Sequence, residues 1–195
     1  MNIEQMTEKL RTVLIPERFE HSLCVMESAV RLAKVYGADV EKSRIAGLLH
    51  DCAKNYSTDE LYSICDKYGV VLDSVTKNEV GLLHPIAGAC ILKDEYGIDD
   101  DEIYDAVFYH TVGKPDMPIL TKIIFIADCI EPSRTSRWVD DVRAVVYKDI
   151  DAALIIQLDN TIKCVLKKGT LLHTNTINTR NFYVERARCQ NVKKN

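Results

Sequence analysis

The sequence predicts an all-α protein, a single-domain helical bundle. Apolar residues recur at spacings of three and four through most of its 195 residues. Glycine and proline are sparse, at 8 and 5. Aromatic residues make up only 7%, and the frequent turns of a sandwich or barrel are missing. With 47% hydrophobic and 28% charged residues, the composition is that of one globular core.

Ile3, Met6, Leu10, Val13 and Leu14 mark a first helix, and Ile15-Pro16-Glu17 a break with Pro16 opening a second. That helix runs to about Tyr36 on the stripe Leu23, Met26, Val30, Leu32 and Ala33, and Gly37 stops it. Asp39 starts a third helix, ending near Asp51. Ser57 with Glu60 is a capping box opening a fourth, to about Tyr68-Gly69. His84-Pro85 to Tyr96-Gly97 is another helix, and Asp99 with Glu102 repeats the box before one ending near His110. Pro118 precedes the most apolar segment, Ile119 to Ile130. Its twelve-residue length and the lack of a partner strand decide for a buried, central helix. Glu131-Pro132-Ser133-Arg134 ends it. Val139 to Tyr147, Ile150 to Lys168 with Gly169 as cap, and about Thr174 to Arg188 complete the set. The expected domain is 1–190, with 191–195 a frayed tail.

A net charge of −4, from 25 basic and 29 acidic side chains, gives no general attraction for nucleic acid or an anionic membrane. Any anionic ligand must therefore be held locally. The seven cysteines are odd in number, scattered and free of C-x-x-C pairs, so neither a disulfide framework nor a zinc ribbon is expected. The first 14 residues do not form a signal peptide, and no apolar run approaches a membrane span. A cytoplasmic location is expected, and the Asn55-Tyr56-Ser57 sequon is read as chance.

The chemistry gathers in the histidines and aspartates. A lone His50-Asp51 dipeptide carries little information, but its neighbours change that. His21 lies on the preceding helix, Asp128 inside the most apolar one, and His84 and His110 at predicted helix ends. A carboxylate among Ile123-Ile124-Phe125-Ile126-Ala127-Asp128-Cys129-Ile130 would cost several kcal/mol if buried unpaired, so something cationic must face it. Neutral imidazoles with carboxylates suit divalent iron, manganese, zinc or nickel. A metal with open positions activates water and polarises a phosphoryl oxygen, so phosphate hydrolysis follows. Lys54, a turn beyond His50-Asp51, could hold a phosphate, and Arg134 could neutralise charge by bidentate pairing.

The order His21, His50-Asp51, His84, His110, Asp128 resembles the HD superfamily of metal-dependent phosphohydrolases, with His21, His50, Asp51 and Asp128 matching its H…HD…D core. More closely, Glu20-His21-Ser22, Leu49 to Lys54, Leu83-His84-Pro85-Ile86-Ala87-Gly88-Ala89, Tyr109-His110-Thr111-Val112-Gly113, Ile126 to Arg134 and Thr179-Arg180-Asn181 resemble the bacterial YqeK family. The resemblance implies an HD-type helical bundle that cleaves diadenosine tetraphosphate symmetrically to two ADP through a metal-bound hydroxide, with iron as the metal. It implies His21, His50, Asp51 and Asp128 as ligands and Asp51 as a further proton acceptor. His84 and His110 either hold a second metal or contact phosphate, with a lean towards phosphate. Lys54, Thr111 and Arg134 are implied phosphate contacts, with Lys54 beside the reacting group. Arg18, His173, Thr174 and Arg180 are further candidate substrate contacts; the family often has Pro after the histidine where Thr174 stands. Expected partners are the dinucleoside tetraphosphate and an ADP- or GDP-type product, without nucleic acid or membrane, and a homodimer stays open. The alternatives are an HD-type nucleotidase or phosphodiesterase on another nucleotide, or a nucleotide-sensing module without turnover, which a structural metal site, usually closed, would suit better.

Overall fold

Side chains that satisfy the free amides of the first turn mark where most helices start, and left-handed glycines mark several ends. The computed structural model describes residues 1–192. Among them are eleven α-helices, one 3-10 turn and no strand. α1 (Ile3–Val13) opens on a capping box of Asn2 and Gln5 that the sequence reading passed over. α2 (Pro16–Tyr36) starts on proline and ends at Gly37, with φ +66°. α3 (Val40–Leu49) is capped by Asp39, and α4 (Thr58–Lys67) by the predicted Ser57–Glu60 box. A short α5 (Ser74–Asn78), capped by Asp73, and the 3-10 turn Val80–Leu82 precede α6 (Leu83–Tyr96). Neither short element was predicted, because five and three residues hold too little periodicity to register.

The cap of α7 (Asp101–Tyr109) is Asp100, not the predicted Asp99. Three consecutive aspartates could each serve. Asp100 takes the amides of Glu102 and Ile103 and an ion pair with Lys42, while Asp99 turns to Lys93. α8 (Ile119–Ile130), α9 (Arg137–Val146) and α10 (Ile150–Lys168) follow, α9 beginning two residues earlier than expected. α11 (Thr174–Val192) runs four residues past Arg188, so 191 and 192, assigned to a frayed tail, are helical. The rest of that tail lies outside the described residues.

α8 is the axis of the bundle, packing against α2, α3, α7, α9 and α10. Ten of its twelve residues are buried, with Ile123, Ile124 and Ile126 inaccessible. One polar residue on that axis is bonded outward: Lys122 pairs with Asp151 of α10 at 2.6 Å. Tyr183 of α11, also fully buried, accepts the Met117 N–H at 3.0 Å and ties the last helix to the α7–α8 connection. α2 and α3 approach closely because Gly47 has no side chain. A Cβ there would lie 2.8 Å from the Met26 Cα. No described helix is long and apolar enough to cross a membrane.

Gly47→Ala should therefore force α2 and α3 apart and cost about 1–3 kcal/mol, the usual penalty of overpacking. Urea unfolding of the variant beside the parent checks this; equal midpoints would show that the two backbones have room to spare.

Candidate metal centre

α3 stops at Leu49 because the chain tightens. Cys52, Lys54 and Tyr56 donate their amides to Leu49, Asp51 and Ala53, each three residues back. In a regular helix neighbours point about 100° apart, but this tight turn directs both His50 and Asp51 inward. His110 likewise caps the end of α7, and His84 sits in the first turn of α6. His21 projects from the second turn of α2 and Asp128 from the last turn of α8.

Six sequence-predicted residues thus meet in the space between α2, α3, α6, α7 and α8. The imidazoles form a row, His21, His50, His110, His84, with ring centroids 5.3, 5.0 and 5.2 Å apart. All four are buried, His50 entirely. Asp51 lies along the row and divides it. Its Oδ2 faces Arg18 at 2.9 Å, His50 Nε2 at 3.5 Å and His21 Nε2 at 3.9 Å. Its Oδ1 faces His84 Nε2 at 2.9 Å, His110 Nε2 at 3.5 Å and Lys54 at 4.0 Å. Asp128 Oδ1 lies 3.0 Å from His21 Nε2 and 2.6 Å from the Arg134 guanidinium, whose Nε also donates to the Asp128 carbonyl.

Main-chain carbonyls orient three of the rings. His50, His84 and His110 each donate Nδ1–H to the carbonyl three residues back, of Gly47, Gly81 and Val107, at 2.7–2.8 Å. In the neutral rings Nε2 is therefore a bare lone pair aimed inward. Nε2 of His21 and His50 and Oδ1 of Asp51 are buried without a hydrogen bond, although they stand close to one another. Buried polar atoms left in that condition are costly. Donor atoms that converge without bonding one another fit a divalent cation between them. Two sets of three lie within 4.8 Å, His21–His50–Asp51 and Asp51–His84–His110; in the second, His84 Nε2 also stands 3.3 Å from His110 Nε2.

Charges in the cluster hold each other in place. Burial works against Asp51, yet His50, His110 and His84 keep its carboxyl well below the ordinary range. Burial also opposes charge on Asp128, and His21, His50 and Arg134 overcome it. His50 is raised despite burial, by the Asp51 carboxylate. In His84 burial wins over Asp51 and pushes the ring down to about 4, so it is neutral at pH 7. Burial likewise lowers the Lys54 ammonium, which stands 3.2 Å from His84 Nε2.

The predicted outer contacts divide. Arg18, Lys54 and Arg134 join the cluster. Thr111 and His173 line an adjoining cavity of about 120 Å³ with Leu72, Ile86, Phe108 and Asn175. His173 is already engaged: Nε2 meets Asp73 at 2.9 Å and Nδ1 accepts the Asn175 amide, so it caps α11 and ties it to the turn before α5. Thr174, where the family often has Pro, begins α11 as an exposed helical residue. Arg180 is not brought to the cluster, since its guanidinium binds Asp159 of α10 at 2.9 Å. Glu131, fully buried and 3.2 Å from His21 Nδ1, was missed as a site residue. The signal was available: an acidic residue where an apolar helix ends opposes the helix dipole and needs a reason.

With this geometry in place, the comparisons are specific. Residues 18–133 match the HD domain family model. The chain belongs to the HD domain family. It is 35% identical over 186 residues to a symmetrical bis(5'-nucleosyl)-tetraphosphatase of Halalkalibacterium halodurans, covering 93% of this chain and 96% of that protein. It is 36% identical to one of Staphylococcus aureus, covering 94% and 95%. These relatives place the chain in the YqeK branch of the HD domain family. A solved structure, described as a predicted HD superfamily hydrolase involved in NAD metabolism from Clostridium acetobutylicum, superposes with TM-score 0.93 at 44% identity over 95% of this chain and 98% of that one. His21, the HD pair, His84, His110 and Asp128 all fall inside the HD match, and His173, Thr174 and Arg180 outside it.

His84 sets a pH dependence. Its folded value, about 4, lies below the ordinary 6.5 of a free histidine. As pH falls, the unfolded chain takes the proton first, so stability is full above 6.5 and declines until about 4, by up to about 3 kcal/mol. Denaturant unfolding of chelator-treated protein should show that slope, and His84→Asn should flatten it. A parent protein whose stability did not fall across this window would contradict a neutral His84.

Proposed function

We propose that this chain hydrolyses dinucleoside tetraphosphates at the middle of the phosphate chain, giving two ADP from diadenosine tetraphosphate. One observation carries the reading: a cage of imidazole and carboxylate donors around Asp51 is ringed by Arg18, Lys54 and Arg134, in a chain whose net charge is −4. Such a site serves a cation together with a polyanion. The names of the relatives, which match over nearly their whole length, supply the substrate.

His21, His50, Asp51 and Asp128 would hold the divalent ion, iron in our reading, with manganese, zinc or nickel accepted by the same donors. When bound, the ion supplies polarisation of a phosphoryl oxygen and a water of lowered pKa. Asp51, whose Oδ1 makes no hydrogen bond, can also take up a proton beside the reacting phosphate. Lys54, Arg18 and Arg134 neutralise the phosphates, and their carboxylate partners keep them extended across the cleft before substrate arrives. The cavity lined by Thr111 and His173 marks the side on which the nucleoside end would lie. Arg180 has no part while Asp159 holds it. The unit is a single domain that includes the whole of α11, in the cytoplasm, where its cysteines stay free thiols.

We assign His84 and His110 to the phosphate side, because the Lys54 ammonium at that end repels a second cation and draws an anion. A second reading has its own support in their Nε2 atoms, which face Asp51 Oδ1 at 2.9 and 3.5 Å and group with it as a second candidate cation site. Elemental analysis of protein purified without chelator separates the two: one ion per chain supports the first, two the second.

Incubation with diadenosine tetraphosphate should yield ADP as sole nucleotide product. AMP with ATP, or turnover of other nucleotides alone, would contradict the reading in favour of another HD-type hydrolase, and binding without turnover would indicate a sensing module. Asp51→Ala should lower kcat/KM at least about 10³-fold, about 4 kcal/mol of transition-state stabilisation, and remove metal loading as well. Lys54→Ala and Arg134→Ala should keep the metal and lose roughly 10–100-fold, mostly in KM if they bind ground state and transition state alike.

A further inference from the structure

His50, His84 and His110 stand at helix ends, where the carbonyl three residues back takes their Nδ1–H. His21 stands inside α2, in its second turn, where main-chain carbonyls are occupied by the helix itself. Its Nδ1 finds a different partner, Oε1 of Glu131, 3.2 Å away and 110 residues along the chain. Glu131 is inaccessible to solvent, and its surroundings leave it only the acceptor role. The Ser133 N–H donates to Oε2 at 2.7 Å, the Ser133 hydroxyl bonds Oε1, and the Arg134 Nε lies 3.5 Å away. The shared hydrogen therefore sits on His21 Nδ1. In the neutral ring Nε2, 3.0 Å from Asp128, is then the lone pair that faces the cluster.

We propose that Glu131 is a positioning residue for the metal centre, fixing the tautomer and orientation of His21 and making it a more basic ligand than its carbonyl-held neighbours. The proposal rests on the reading that the cluster holds a divalent ion. A carboxylate partner on the far nitrogen strengthens imidazole ligation, and losing such a partner typically weakens metal binding 10–100-fold. Glutamine cannot replace it. If its oxygen accepts from the Ser133 N–H, its NH2 faces His21 Nδ1 and selects the tautomer with hydrogen on Nε2. If the oxygen turns to His21, the Ser133 amide loses its acceptor.

The test uses Co2+ alone, titrated into chelator-treated full-length protein and followed by its visible d–d absorption. Parent protein should bind Co2+, and Glu131→Gln should bind it 10–100-fold more weakly with an altered spectrum. Ser133→Ala, which keeps the carboxylate and loses one of its donors, should fall between. Parent and Glu131→Gln proteins binding Co2+ with equal affinity and identical spectra would overturn the proposal, whereas a parent that binds none would overturn the metal reading on which it rests. Nitrogen NMR of the parent, without Co2+ at pH 8, provides a readout independent of any variant's folding. Hydrogen on His21 Nδ1, held by Glu131, supports the proposal, and hydrogen on Nε2 alone overturns it.

Discussion

Burying the carboxylate of Asp51 is the constraint on which the rest depends. A solitary ionised carboxyl at 2% exposure would cost several kcal/mol. This one has a cation on each side, Arg18 at one oxygen and Lys54 at the other, with His21 and His50 beside the first and His84 and His110 beside the second. Those groups come from α2, α6, α7 and the turn after α3, so the helices must converge there. The apolar axis α8 makes convergence possible, and it brings Asp128 and Arg134 to the same place.

Helix ends are the means of placing the ligands. A histidine at or near a terminus reaches a carbonyl three residues back, which fixes both its tautomer and the direction of its free nitrogen. Three of the four cluster histidines use this device, and its cost to the sequence is small, since any residue supplies the carbonyl. Gly47 serves twice, as the carbonyl for His50 and as the gap that lets α2 approach. The histidine inside α2 needs a side chain instead, and Glu131 meets that need from the end of α8.

Most of the fold was legible in the sequence because helix starts and stops are local chemistry. Pro16, Gly37, Asp39, Ser57–Glu60 and Gly169 all act where they stand. The cap at Asp100 was displaced by one residue because its choice over Asp99 depends on Lys42, a residue remote in sequence. Of the site, the order of histidines and aspartates was enough to bring six residues together. What escaped was pairing at long range: Glu131 with His21, and Arg180 with Asp159, which withdraws a conspicuous cation from the cleft. An arginine's availability is set by its neighbours in space, and no spacing rule reveals them.

The most direct test of the cluster as a metal centre is an anomalous-difference map from crystals of protein purified without chelator, collected on either side of the iron absorption edge. A peak among His21 Nε2, His50 Nε2, Asp51 and Asp128, stronger above the edge, is the predicted result. A map without a peak there at any transition-metal edge, with those nitrogens hydrogen-bonded to water, would contradict it.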